Sequence, residues 1–149
     1  LESVQAGDPD DWDQMIDTNV KGLLYVTRAV LPGMVARRRG HVVNIGSVAG
    51  HLVYAGGAVY SATKFAVRAI SDGLRQETDR IRVTVISPGT TTSELAETIT
   101  DPTARDAMKA FRAITISPEA IANSILYAVS QPDDVDVSEI IIRPTASPH

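Results

Sequence analysis

Three short β-branched runs, each separated from the next by a helical pattern, restrict the fold of this chain more than any other feature. The runs lie at residues 41–46 (HVVNIG), 81–87 (IRVTVIS) and 138–143 (SEIIIR). Apolar residues recur with helical spacing over residues 58–78 and again from Ser117 onward. Apolar strands that alternate with helices are typical of a parallel sheet covered by helices on both faces. The sequence therefore predicts an α/β fold with a doubly wound parallel sheet.

A long helix is predicted before the first strand, over residues 9–38. Asp8 is suited to cap its first turn, and Pro9 is suited to the first helical position. Three arginines at residues 37–39 are cations at the predicted C-terminal end, where the helix dipole is negative and positive charge is stabilising. Gly40 follows them and is expected to end the helix.

The composition argues against several classes of function. The chain has 149 residues, 44% of them hydrophobic, and 14 Lys and Arg against 18 Asp and Glu give a net charge of −4. A nucleic-acid-binding domain normally has the opposite balance. There is no cysteine, and the three histidines lack the spacing of metal ligands, so no metal site is predicted. No apolar run reaches the roughly 20 residues of a membrane span, and the absence of cysteine fits a cytoplasmic location.

Four polar residues are candidates for chemistry because of where they lie. Tyr60 and Lys64 are four residues apart in a predicted helix and share one face of it. An ammonium beside a phenol is expected to lower the pKa of that phenol, which can then exchange a proton near neutral pH. Ser47 directly follows a predicted strand, at the edge where open α/β sheets bind ligands. Asn19 lies mid-helix, where Asn is unfavourable unless its amide has another task.

Four motifs, in this order and spacing, resemble the short-chain dehydrogenase/reductase family. They are NVKG at residues 19–22, NIGS at residues 44–47, YSATK at residues 60–64, and Pro88 followed by Gly89. The resemblance runs from near residue 10 to the C-terminus and implies a Rossmann-like fold. It also implies an oxidoreductase that transfers a hydride between NADP or NAD and a small alcohol or carbonyl compound. The sequence looks most like bacterial NADP-preferring members that act on small hydroxy acids, hydroxy-amino acids or aldehydes, so NADP is favoured.

The resemblance implies a role for each matching residue. Tyr60 would be the general acid/base, and Lys64 would lower its pKa and bind the nicotinamide ribose. Ser47 would orient and polarise the substrate, while Asn19 would hold a water in a proton relay to Lys64. The cofactor would be bound by Tyr60, Lys64, Pro88, Gly89, Thr91 and Ser93. The family usually has Val in place of Thr91 and Thr in place of Ser93, so a backbone contact and a hydroxyl are both kept.

Residues 90–117 form a long connection whose length suits a substrate lid. Asp101 and Pro102 predict a short helix within it, which ends near Phe111. Ala104, Met108 and Phe111 are candidates either for lining the substrate pocket or for packing this short helix against the core.

The Gly-rich phosphate-binding turn of the family has no counterpart before Asn19. The resemblance places residue 1 just after the fourth strand of the family's sheet. Residues 1–149 would then be the C-terminal catalytic part of a single Rossmann domain, with strands one to four missing. The run at residues 41–46 would be left as an exposed edge. We therefore expect the 149 residues alone to aggregate or fold poorly and to bind no cofactor detectably.

Two other functions are considered. In the family, the helices at residues 9–38 and 58–78 build a homodimer or homotetramer, so this chain could instead be a non-catalytic interaction module that pairs with a full-length relative. A serine hydrolase that uses Ser47 with His41 or His51 is disfavoured, because Ser47 is second and not third in its glycine-flanked run. Both histidines are interpreted as solvent-facing residues at the ends of elements.

Overall fold

The computed structural model describes residues 2–94, 105–106 and 113–147. The first helical stretch consists of α1 (Pro9–Ile16), a π-helical turn (Asp17–Gly22) and α2 (Leu23–Ala36). Strand β1 (Gly40–Ile45) is followed by a single 3₁₀ turn (Val48–Gly50) and by α3 (Ala58–Glu77). Strand β2 (Ile81–Pro88), helix α4 (Pro118–Val129) and strand β3 (Glu139–Ile142) complete the described elements. Each predicted element among these is present, with its ends within about two residues of the prediction.

The three strands form one parallel sheet in the order β1-β2-β3. Ile45 of β1 lies opposite Ile86 of β2, and Ile86 in turn lies opposite Ile140 of β3. Because the strands are parallel, their carboxyl ends meet at one edge of the sheet. The residues that follow β1 and β2 are therefore neighbours in space, although about 40 residues separate them in the chain.

Helices cover both faces of the sheet. On one face, Val42 and Val83 pack against Leu74 of α3 and form the buried core with the α2 residues Leu31 and Met34. On the other face, the guanidinium of Arg82 donates hydrogen bonds to the carbonyl of Ala128 at the end of α4 (3.3 Å) and to that of Gln131 just beyond it (3.0 Å). Cations are favourable at this end of a helix. The predicted doubly wound α/β arrangement is confirmed.

The first helix begins as predicted, but its middle is irregular. The Asp8 carboxylate accepts a hydrogen bond from the backbone N–H of Asp10 at 3.0 Å, and Pro9 is the first helical residue. The π-helical turn that interrupts the α-helix contains Asn19, the residue singled out as unusual for a helix interior. Wide turns of this kind occur mostly as single bulges, often at functional sites.

The prediction that Gly40 ends this helix is wrong. Helix α2 ends at Ala36, and Arg38 takes the left-handed backbone conformation, with φ of 54°, that glycine usually adopts after a helix. Gly40 is instead the first residue of β1, where a Cβ atom would lie 2.5 Å from the sulfur of Met34. The glycine is therefore required for close packing of strand on helix.

The short helix predicted to end near Phe111, with Ala104, Met108 and Phe111, lies outside the described residues apart from residues 105–106. In the described part of the chain, no helix is both long and apolar enough to cross a membrane.

Candidate active site

Ser47, Tyr60 and Lys64 meet at the carboxyl edge of the sheet. Ser47 follows β1 by two residues, and the backbone N–H of Gly46 donates to the carbonyl of Ile86 at 2.7 Å, which ties this segment to β2. Tyr60 lies in the first turn of α3, where its phenol interacts with the Ser47 hydroxyl. The Lys64 ammonium lies 5.8 Å from the centre of the Tyr60 ring. The structure thus brings these three residues together, and their catalytic roles stay a prediction.

A tight turn after β1 holds the Ser47 side chain. Its hydroxyl oxygen accepts a hydrogen bond from the backbone N–H of Ala49 at 3.1 Å and caps the Val48–Gly50 turn. The turn packs directly on α3, because a Cβ atom at Gly50 would lie only 2.9 Å from the carbonyl oxygen of Lys64. The position of Ser47 therefore depends on a close contact between this turn and the helix that carries Tyr60.

Burial moves Tyr60 and Lys64 toward their neutral forms. It raises the pKa of the Tyr60 phenol above its usual value, and the nearby Ser47 hydroxyl opposes this shift. Burial also lowers the pKa of Lys64, whose ammonium donates a hydrogen bond to the Ile45 carbonyl at 3.2 Å. Burial thus shifts the pKa of Tyr60 in the direction opposite to the one expected from its spacing to Lys64, and a lowering of this pKa by Lys64 stays a prediction.

Asn19 contacts the residue next to Lys64. Its side-chain N–H donates to the Thr63 hydroxyl at 3.1 Å, and that hydroxyl donates to the backbone carbonyl of Tyr60 at 2.7 Å. Thr63 is buried, and both bonds are partly buried. The irregular turn of the first helix is thereby fastened to the first turns of α3. A water relay from Asn19 to Lys64 stays a prediction.

The predicted cofactor-binding residues extend from the end of β2. The backbone N–H of Gly89 donates to the Ile142 carbonyl of β3 at 2.6 Å, and the Thr91 hydroxyl donates to the Gly89 carbonyl at 3.1 Å. Pro88 is the last residue of β2, which places this segment on the same sheet edge as Ser47. Ser93 lies further along the chain and is exposed. Their role in cofactor binding stays a prediction.

Both histidines are less exposed than the sequence suggested. The Nε2 atom of His51 lies 2.7 Å from a carboxylate oxygen of Glu139, and that of His41 lies 2.7 Å from the Thr84 hydroxyl. The interpretation of the two as solvent-facing is therefore wrong. The partners are 88 and 43 residues distant in the chain, so sequence spacing held no signal for either contact.

Comparison with known proteins identifies the family. A sequence profile described as short chain dehydrogenase matches residues 1–104 of this chain. An uncharacterized oxidoreductase of Staphylococcus saprophyticus is 47% identical over 141 residues, which cover 92% of this chain and 57% of the relative. The chain belongs to the short-chain dehydrogenase/reductase family, and it spans less than two thirds of the length of that relative.

Solved structures agree with this family and fold. The closed form of serine dehydrogenase complexed with NADP+ superposes with a TM-score of 0.92 and is 38% identical, over 100% of this chain and 62% of that protein. A gluconate 5-dehydrogenase of Burkholderia cenocepacia, in complex with NADP and tartrate, superposes with a TM-score of 0.78. It is 28% identical over 95% of this chain and 58% of that protein. The three-stranded parallel sheet with its helices is therefore part of a Rossmann-like fold.

Proposed function

We propose that the protein transfers a hydride between NADP(H) and a small alcohol or carbonyl compound. One observation carries this proposal: Ser47, Tyr60 and Lys64 are brought together at the carboxyl edge of a parallel sheet. The names of the similar structures, a serine dehydrogenase and a gluconate dehydrogenase, favour small hydroxylated acids as the substrate class. In this proposal, residues 1–149 are the catalytic part of a single Rossmann domain.

The residues at this edge suit a nicotinamide cofactor. Lys64 carries three N–H donors, one of which is used by the Ile45 carbonyl, so donors remain for ribose hydroxyls. Gly89 lets the main chain after β2 lie close to Arg143, because a Cβ atom at Gly89 would lie 2.7 Å from the Cβ of Arg143. The ribose would be held by Tyr60 and Lys64, and the carboxamide by Pro88, Gly89, Thr91 and Ser93. When bound, the cofactor supplies or accepts the hydride. Two of the similar structures contain NADP, which favours NADP over NAD.

The proposed chemistry assigns one proton to Tyr60. During reduction, the phenol donates this proton to the substrate oxygen, and Ser47 donates a hydrogen bond to the same oxygen. The raised pKa of Tyr60 keeps the phenol protonated at neutral pH, which is the form that an acid needs. In the reverse direction the phenolate is the base. Asn19 and Thr63 hold the start of α3 in place while the proton moves.

A cofactor assay on the purified full-length protein tests this function. We expect NADPH to be consumed in a one-to-one ratio with a small carbonyl substrate taken from a panel of 3-oxo acids, hydroxyaldehydes and simple aldehydes. NADH should support a lower kcat/KM than NADPH. The measurement is the loss of reduced-nicotinamide absorbance together with chromatographic identification of the alcohol. Absence of turnover with every carbonyl and both cofactors would refute the proposal.

We propose further that two copies associate through helices α2 and α3. An apolar groove of about 800 Å³ runs between these helices and is lined by residues that include Leu24, Leu31, Ile70 and Leu74. A second copy would cover it and give the dimer or tetramer expected from residues 9–38 and 58–78. The comparisons support an oxidoreductase and give no support to a non-catalytic interaction module. A cytoplasmic location is part of this proposal.

We also propose that residues 1–149 by themselves do not bind the dinucleotide. In the described residues, β1 is an edge strand, and an apolar edge with unpaired backbone groups promotes aggregation. We expect the isolated 149-residue polypeptide to sediment as aggregates and to leave NADPH fluorescence unchanged. A monodisperse sample with micromolar NADPH affinity would contradict this expectation.

A further inference from the structure

A polar cluster lies beside the proposed site and joins four segments of the chain. Its centre is one carboxylate oxygen of Glu139, the first residue of β3. This oxygen lies 2.7 Å from His51 Nε2, 2.8 Å from the Ser87 hydroxyl and 3.4 Å from Arg68 Nε. The partners come from the segment after β1, from the end of β2 and from α3. One side chain thus connects the segment after β1 and the end of β2 with the helix that carries Tyr60.

Two partners of Glu139 hold the turn that positions Ser47. Arg68 lies one helical turn after Lys64, and its guanidinium donates to the Gly50 carbonyl at 3.0 Å. His51 directly follows Gly50, so its contact with Glu139 fixes the end of the same turn. Ser47 begins this turn, because its hydroxyl and carbonyl accept the N–H groups of Ala49 (3.1 Å) and Gly50 (2.9 Å). A shift of His51 or Arg68 is therefore passed on to Ser47.

The cluster depends on Glu139 for its charge and for a buried hydrogen bond. The Glu139 side chain is 25% exposed, and its carboxylate faces the cationic Arg68. Ser87 is fully buried, and its hydroxyl donates to this carboxylate. Removal of the carboxylate leaves a buried donor and a half-buried guanidinium without this partner, and both must rearrange beside the Ser47 turn.

The geometry of Ser87, His51 and Glu139 is unsuited to a serine–histidine–acid catalytic triad. In such a triad the two ring nitrogens of a histidine serve different groups, one the acid and one the nucleophile. Here the same nitrogen of His51, Nε2, contacts both Glu139 (2.7 Å) and Ser87 (3.4 Å). Ser87 is also closed off from solvent. The arrangement therefore indicates support for the turn and not a separate reaction.

We propose that Glu139 is a positioning residue for Ser47 and for the α3 residues Tyr60 and Lys64. It holds His51 and Arg68 and so fixes the distance between the Ser47 turn and α3. The effect on turnover rests on the proposed reductase function, whereas the effect on the turn does not. The two parts therefore have separate measurements.

Glu139→Ala in the full-length protein tests both parts. A misplacement of about 1 Å at a reacting group costs about 10²-fold in rate, so kcat should fall by about that factor while KM changes little. Hydrogen–deuterium exchange at the backbone amides of residues 48–52 should speed up about tenfold, the effect of losing one partner of a buried polar group. Glu139→Gln keeps an acceptor oxygen and should restore most of both losses.

Asp136→Ala is the matched control. Asp136 is 27% exposed, and its carboxylate pairs with another arginine of α3, Arg75, at 3.1 Å. It also accepts the backbone N–H of Val83 at 3.1 Å, so it joins the same helix to the same strand far from Ser47. This variant should lower the melting temperature, but leave kcat and the exchange of residues 48–52 as in the wild type.

Three results separate the outcomes. Unchanged exchange at residues 48–52 in Glu139→Ala overturns the positioning role, whether or not the protein is a reductase. Equal losses of kcat in Glu139→Ala and Asp136→Ala also overturn it, because a general loss of stability would then explain both. Faster exchange in Glu139→Ala, in a wild type that reduces no carbonyl, supports the positioning role and refutes the proposed function.

Discussion

Tyr60→Phe is expected to lower the kcat of carbonyl reduction by about 10²–10⁴-fold, the usual contribution of a positioned general acid. The substitution removes only the hydroxyl and keeps the aromatic ring, whose centre lies 5.8 Å from the Lys64 ammonium. The melting temperature should change little. Steady-state kinetics and thermal unfolding of the wild type and of Tyr60→Phe, each as the full-length protein, measure these two effects.

Tyr127→Phe serves as the control for this substitution. The Tyr127 side chain lies on α4 and is 57% exposed, and loss of its hydroxyl should leave kcat unchanged. Turnover by Tyr60→Phe at the wild-type rate would contradict the role of Tyr60 as proton donor. It would leave the family assignment intact, since that depends on the whole sequence and fold.

The pH dependence of the wild type follows from the direction of the Tyr60 shift. Burial raises the pKa of this phenol, so the protonated form persists through the neutral range and into alkaline solution. Reduction needs this form, and its kcat/KM should stay level until the pH exceeds the raised pKa. Oxidation needs the phenolate, and its kcat/KM should therefore rise with pH over the alkaline range. Tyr60→Phe should abolish both the fall of the reduction rate and the rise of the oxidation rate in alkaline solution.

The alternation of strands and helices could be predicted largely because the central strand, β2, is buried on both faces. Val83, Val85 and Ile86 of β2 are at most 3% exposed, so almost every residue of this strand has to be apolar or paired. A run of such residues is distinctive in a sequence. The meeting of Ser47 with Tyr60 follows from the same argument, since parallel strands end at one edge.

Other features depend on contacts that no local pattern contains. The raised pKa of Tyr60 results from burial by the folded chain, whereas the spacing to Lys64 suggested the opposite direction. The contact between His51 and Glu139 joins the segment after β1 to β3. The π-helical turn at Asn19 had a weak signal, an Asn in a helix interior, but its bond to Thr63 requires the tertiary fold. Long-range polar contacts are therefore where the sequence was least informative.

Gly50→Ala should have the second-largest effect, because this glycine sets how closely the Ser47 turn approaches α3. The added Cβ would lie 2.9 Å from the Lys64 carbonyl oxygen and 3.2 Å from the Arg68 Cδ. One of these atoms belongs to the helix backbone, which does not yield easily. We expect a cost of about 1–3 kcal/mol in the free energy of unfolding. A displacement of Ser47 by about 1 Å should also lower kcat by about 10²-fold.

Gly33→Ala separates the loss of a close contact from the general effect of replacing a glycine. Gly33 lies within α2, where an added Cβ would meet only the end of the flexible Arg37 side chain, at 3.4 Å. Alanine is favoured over glycine in a helix, so this variant should be more stable by about 0.5–1 kcal/mol, with unchanged kcat. Urea unfolding and steady-state kinetics on both variants decide the matter. If Gly50→Ala matches the wild type in both, Ser47 is held by contacts other than the approach of this turn to Lys64.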